Sequence, residues 1–163
     1  MDKRVLTICL STDNIHGGYF YADLSLPAKG YEILDAYQKL RCGSRDDDPL
    51  VSEIRCKILP ELSEVRLDGR TIKELDFFAR RLAALSDAER LALRGLFLRF
   101  LNDDMPDDLV SMKDLINMTY GLDQVIVARN VGDDEALGQF VIENDLHQDV
   151  SVVPDEALYL LDK

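Results

Sequence analysis

The chain has 163 residues, of which 47% are hydrophobic and 31% charged, with a formal net charge of -12. That composition suits one domain or two small ones and argues against disorder. A chain this acidic repels nucleic-acid and membrane phosphates, and it is matched to basic partners instead. The charge is also uneven: residues 1–100 hold 16 Lys+Arg against 16 Asp+Glu, whereas residues 101–163 hold 3 against 15.

Met1-Asp2-Lys3-Arg4 and the short apolar run to Leu10 lack the hydrophobic region and cleavage site of a signal peptide. No stretch approaches the roughly 20 apolar residues of a membrane span, and the expectation is a cytoplasmic protein. Val5 to Leu10 and Tyr19 to Leu26 are expected strands, joined by a polar turn ending in Gly17-Gly18. After Pro27, Ile33, Leu34, Tyr37 and Leu40 recur at helical spacing between Gly30 and Cys42, with Gly43 as a stop. A third strand is expected from Ser52 to Leu59, with Ile54, Cys56 and Ile58 on one side, completing a β-β-α-β unit.

Two capping boxes follow. Thr71-Ile72-Lys73-Glu74 opens a helix to about Leu85, and Ser86-Asp87-Ala88-Glu89 opens a second to about Leu101. With almost no linker between them they predict a helical hairpin. Its apolar positions are Leu75, Phe78, Leu82 and Leu85, then Leu91, Leu93, Leu96, Phe97 and Phe100. The stretch from Asn102 to Asp108 reads as a loop leading to a helix capped by Ser111 or Asp108, in which Leu115, Ile116 and either Met118 or Met112 form a stripe and Gly121 ends the element. Gln124 to Ala128 is an expected short strand. Asp133-Asp134-Glu135 starts a helix with Ala136, Leu137, Phe140 and Val141 as its buried face, and Pro154-Asp155-Glu156 begins a last helical segment through Leu161. The expected class is α+β, organised as a small α+β domain over 1–68, a hairpin over 69–105 and an acidic mixed α/β portion over 106–163.

Chemistry-bearing motifs are few. Cys9, Cys42 and Cys56 are odd in number and too widely spaced for a zinc ribbon, so they read as reduced, packed thiols. The only histidines are His16 and His147; Asp145-Leu146-His147-Gln148-Asp149 offers alternating ligands but no second histidine or cysteine cluster. Asp46-Asp47-Asp48 lacks the EF-hand alternation and reads as a solvated loop. Walker, dinucleotide, nucleophile-elbow and zinc-helix motifs are absent, and the expectation is a binding protein rather than an enzyme, with no cofactor or metal.

The carboxylates of the C-terminal portion form two series: Asp103, Asp104, Asp107, Asp108 and Asp114, then Asp133, Asp134, Glu135, Glu143, Asp145 and Asp149, with Asp123 between them. Each alone reads as a solvated side chain or a helix cap. As a set they have another use: carboxylates on a helix lie about 5 to 6 Å apart at three- or four-residue spacing, and can stand in for phosphates on a duplex carrying one charge per about 1.7 Å.

Lys73-Glu74-Leu75-Asp76-Phe77-Phe78, then Leu82 through Leu91, Asp114-Leu115-Ile116-Asn117 and the Asp133 to Glu143 segment resemble the ArdA-type antirestriction proteins. The order of a small sheet unit, a leucine-rich helical pair and an acidic C-terminal portion is similar to that family too, over most of the chain. The chain departs from the pattern in its charge-neutral first hundred residues and in the short stretch after Val150. The resemblance implies a cytoplasmic, dimeric DNA mimic that occupies the DNA-binding groove of Type I restriction-modification enzymes at the methyltransferase core, itself binding neither nucleic acid nor membrane. The twelve carboxylates above are the surface it would present. A symmetric homodimer could use a strand edge near Val125 to Ala128 or the apolar region from Val150 to Leu161, although both read equally well as internal core. The alternative is an acidic interaction or regulatory domain that binds a basic partner without imitating DNA; a weaker one is a metal-dependent enzyme centred on His147.

Overall fold

A computed structural model describes residues 3–14, 18–41, 49–68, 71–103, 109–128, 133–144, 150–153 and 158–162. The class is α+β. The chain divides into two compact units, Met1–Ala84 and Leu85–Lys163. This division runs between the two helices grouped over 69–105 from the sequence, and the charge asymmetry persists across it: the first unit holds 13 Lys+Arg against 14 Asp+Glu, the second 6 against 17.

In the first unit, β1 (Leu6–Asn14) pairs antiparallel with β2 (Gly18–Leu26) along its whole length and with β3 (Leu50–Cys56) on its other side, giving the order β2-β1-β3. Alternation decides which face is buried. Leu6, Ile8, Leu10, Ala22, Leu24, Leu26, Ile54 and Cys56 are buried, while Tyr19, Tyr21, Asp23, Glu53 and Arg55 remain exposed. A register shift between Cys9 and Leu10 keeps Val51 buried as well. The strand expected at 52–59 therefore starts two residues earlier and stops at Cys56, where the chain turns toward a 3-10 segment opened by Pro60.

The helix expected from Gly30 is α1 (Gly30–Lys39), which closes at Leu40 and Arg41; the Arg41 N–H donates to the Gln38 carbonyl (3.0 Å), and Arg41 itself takes a positive φ of 53°. The stop expected at Gly43 lies outside the described residues. Leu40 is buried but Leu34 is exposed, so Ala36 rather than Leu34 supplies the inner stripe. Glu32 fastens the helix start: the Lys29 N–H donates to its Oε2 (2.7 Å) and the Arg4 guanidinium pairs with Oε1. The N–H and then the Arg4 guanidinium hold the Glu32 carboxyl below its ordinary range, against desolvation, which acts the other way. Because the folded value is depressed, the ionised group favours the fold above the unfolded carboxyl range of about 4.3, and this contribution disappears as pH falls through the folded value. Glu32→Gln should lower the denaturation midpoint at pH 7, and the deficit should shrink as pH falls below the unfolded carboxyl range; a deficit that does not change with pH would show that the charge plays no part.

After β4 (Arg66–Asp68), α2 (Ile72–Ala84) begins at the expected capping box: the Glu74 N–H donates to Thr71 Oγ1 (3.2 Å) and the Thr71 N–H to Glu74 Oε2 (3.3 Å). Leu75, Phe78 and Leu82 are buried. Asp76 and Arg80, one turn apart, take both polar groups of Ala28: its N–H donates to Asp76 Oδ1 (2.8 Å) and its carbonyl accepts from Arg80 Nη2 (3.2 Å). This clasp ties α2 to the end of β2.

The second unit opens with α3 (Asp87–Asp103), again from the expected box, with the Ser86 N–H donating to Glu89 Oε2 (2.7 Å) and the Glu89 N–H to Ser86 Oγ (3.3 Å). Leu93 and Phe97 are fully buried, whereas Leu91, Leu96 and Phe100 are half-buried. β5 (Leu109–Ser111) and α4 (Met112–Met118) follow, then a 3-10 turn at Leu122–Gln124 leading into β6 (Val125–Ala128). α5 (Asp134–Glu143) precedes β7 (Val150–Val153) and β8 (Leu158–Asp162). The last three strands form an antiparallel sheet ordered β6-β8-β7, and α3 packs against all three strands and against α4.

The expected final helix through Leu161 is thus a strand, corrected by the pairing of Leu158–Asp162 on both sides. A short apolar run can serve either state, and the central position in a sheet satisfies its backbone groups in a way that an isolated terminal turn of helix does not. Among the described residues, no helix is long and apolar enough to cross a membrane.

Candidate acidic interface

The second unit presents several of its described carboxylates from helix starts, and the local sequence explains why. In α4, Ser111 is the N-cap: its Oγ accepts the Asp114 N–H (3.1 Å) and donates to Asp114 Oδ2 (2.7 Å). Of the two caps considered from the sequence, Ser111 is therefore the one used. The exchange fixes the Asp114 carboxylate, which is exposed, while Met112 and Leu115 fill the core beneath. Ile116 and Met118 are half-buried, and the helix closes at Thr119, whose hydroxyl donates to the Ile116 carbonyl (2.7 Å). Asp123 is exposed in the following 3-10 turn.

In α5, Asp133 is the N-cap, its Oδ1 accepting the Ala136 N–H (2.8 Å), and Asp134 and Glu135 occupy the first turn. Negative charge is favourable at this end of the helix, where unpaired N–H groups carry partial positive charge. Glu143, in the last turn, meets no such compensation, but its Oε1 accepts from Gln139 Nε2 (2.8 Å), one turn earlier. All four carboxylates are exposed, and α5 contains no Lys or Arg.

Half of the expected series is thus located: Asp114, Asp123, Asp133, Asp134, Glu135 and Glu143. Asp103 is the last residue of α3, so the expected loop from Asn102 begins later than the sequence suggested. Asp104, Asp107, Asp108, Asp145 and Asp149 lie outside the described residues, as do His16, Cys42, the Asp46-Asp47-Asp48 triplet and His147. Of the described cysteines, Cys56 is buried and Cys9 half-buried; burial pushes the Cys56 thiol up, and its Sγ accepts the Leu59 N–H (3.3 Å). Among the described residues, no group of three or more His, Cys, Asp or Glu side chains is arranged to hold a metal ion.

One expectation about α5 needs correction. Ala136, exposed, and Leu137, Phe140 and Val141, half-buried, do not form a buried face, and the helix has no fully buried residue. The period of three and four correctly marks an amphipathic helix, but how deeply that stripe sinks depends on what packs over it. The sequence reading also passed over Ile142, which is 81% exposed on a helix otherwise lined with carboxylates. Its place outside the i, i+3, i+4 stripe of Leu137, Phe140 and Val141 was the available signal.

Comparison with protein-family models, with curated proteins and with solved structures finds no match for this chain.

Proposed function

We propose that this chain is a cytoplasmic antirestriction protein that acts as an acidic decoy, occupying the DNA-binding groove of a Type I restriction-modification enzyme at its methyltransferase core. The observation that carries the reading is the concentration of charge in the second unit, 6 Lys+Arg against 17 Asp+Glu, with its described carboxylates exposed and several of them fastened at helix starts. The resemblance to the ArdA-type family supplies the identity of the target.

The mechanism is competitive occupancy. A DNA-binding groove is lined with Lys and Arg that neutralise phosphates, and much of its affinity comes from that charge. Carboxylates held on capped helices meet those cations without the entropy cost of ordering a flexible acidic tail. No bond is made or broken. The purified protein should displace duplex DNA from the methyltransferase core, with an inhibition constant that rises steeply across a salt series as screening takes hold. No displacement at low salt would remove this target. Binding that leaves the DNA in place would favour an acidic adaptor instead.

A further inference from the structure

Two residues of α5 are unexplained by the fold that contains them. Gly138 lies in the helix interior, where glycine is less stabilising than alanine. Among the described residues, a Cβ at that position would meet nothing within 4 Å, and its φ is not in the left-handed region. Neither crowding nor strain among the described residues asks for glycine there. Ile142, one turn further on, leaves a β-branched apolar side chain 81% exposed. With Glu135 these residues fall at i, i+3 and i+7, which places them along one side of the helix. Leu137, Phe140 and Val141 form the other, half-buried stripe.

We infer that this seam of α5 is a docking surface for a basic protein surface bearing a small apolar pocket. Gly138 lets the partner approach the helix backbone, Ile142 enters the pocket, and Asp134, Glu135 and Glu143 face a cationic rim. Charge selects the occupant. A second copy docking isologously would bring these same carboxylates against one another, whereas a cationic surface complements them. The inference rests on the proposed function and deepens it: the contact is not purely electrostatic, and an apolar anchor adds binding that salt does not screen.

The test uses Gly138→Ala and Ile142→Ser in the full chain, each assayed for thermal midpoint and for affinity to the Type I methyltransferase core at several salt concentrations. Gly138→Ala should raise the midpoint by about 2 to 4 °C yet weaken binding about tenfold, since a methyl group intrudes on a close approach. Ile142→Ser should leave the midpoint within a degree and weaken binding about tenfold. Neither should change the slope of affinity against salt. Variants that bind like the parent overturn the docking seam while leaving the decoy reading standing. A lower midpoint for Gly138→Ala overturns it too, because the glycine would then serve the chain's own fold. Loss of self-association in Ile142→Ser on sedimentation would make the occupant a second copy and overturn the basic partner. If the unsubstituted protein fails to bind the core at low salt, the functional reading itself fails, and the assignment of α5 falls with it.

Discussion

Replacing Asp133, Asp134 and Glu135 with Asn, Asn and Gln should weaken inhibition of the methyltransferase core by about 3- to 140-fold while leaving the second unit folded. The size follows from about 0.2 to 1 kcal/mol for each exposed ion pair lost, with a tenfold change in affinity for every 1.4 kcal/mol. The choice of side chains matters. Asp133 caps α5 through its Oδ1, and asparagine caps equally well, so the substitution removes charge without removing the hydrogen bond. Asp134 and Glu135 lose only their favourable interaction with the helix dipole, about 0.3 to 1 kcal/mol each. The loss should be largest at low salt, and the salt dependence should flatten. Neutralising Asp46, Asp47 and Asp48, which belong to the charge-balanced first unit, is the matched control: it removes the same number of charges and should change affinity less than threefold. Equal losses from both triple variants would show that net charge, rather than the second unit, sets the affinity.

What the sequence made legible was mostly local. The capping boxes at Thr71/Glu74 and Ser86/Glu89 are formed by residues three apart, and their hydrogen bonds are those the sequence implies. The helix start at Asp133, and the β-β-α-β order with its inward Ile54 and Cys56, belong to the same class, because strand alternation and helix-start chemistry need no knowledge of distant residues. What failed depended on tertiary context. Leu158–Asp162 has no periodicity that separates strand from helix; its state is decided by β6 and β7, which flank it, β6 coming from well before it in the chain. Leu137, Phe140 and Val141 carry the right spacing for burial, but spacing cannot report that the helix stays only partly covered. The acidic series was legible as composition and its members at helix starts as such, and Ile142 stood visibly off the apolar stripe, whereas the extent of its exposure depended on the placement of α5.

Phe97→Ala should have the opposite signature to the α5 charge variant. Phe97 is fully buried on α3, the helix that packs against β6, β7, β8 and α4. Truncating a buried phenylalanine removes its transfer free energy and leaves a cavity that the surroundings fill only in part, a cost of about 3 to 5 kcal/mol. Against a typical total stability of about 5 to 15 kcal/mol, this consumes a large fraction of what holds the second unit together. Denaturant unfolding should therefore show a much lower midpoint for Phe97→Ala, whereas the neutralised α5 variant stays near the parent. Binding should follow a different logic in the two proteins. For Phe97→Ala, affinity should fall only by the fraction unfolded, recover on cooling toward the temperature of maximum stability, and keep the parent's salt slope, because every surface carboxylate is retained. For the α5 variant, affinity should fall without unfolding and with a flatter slope. If Phe97→Ala stayed fully folded and yet lost both affinity and salt dependence, this separation between a framework that holds the helices and a surface that meets the partner would be wrong.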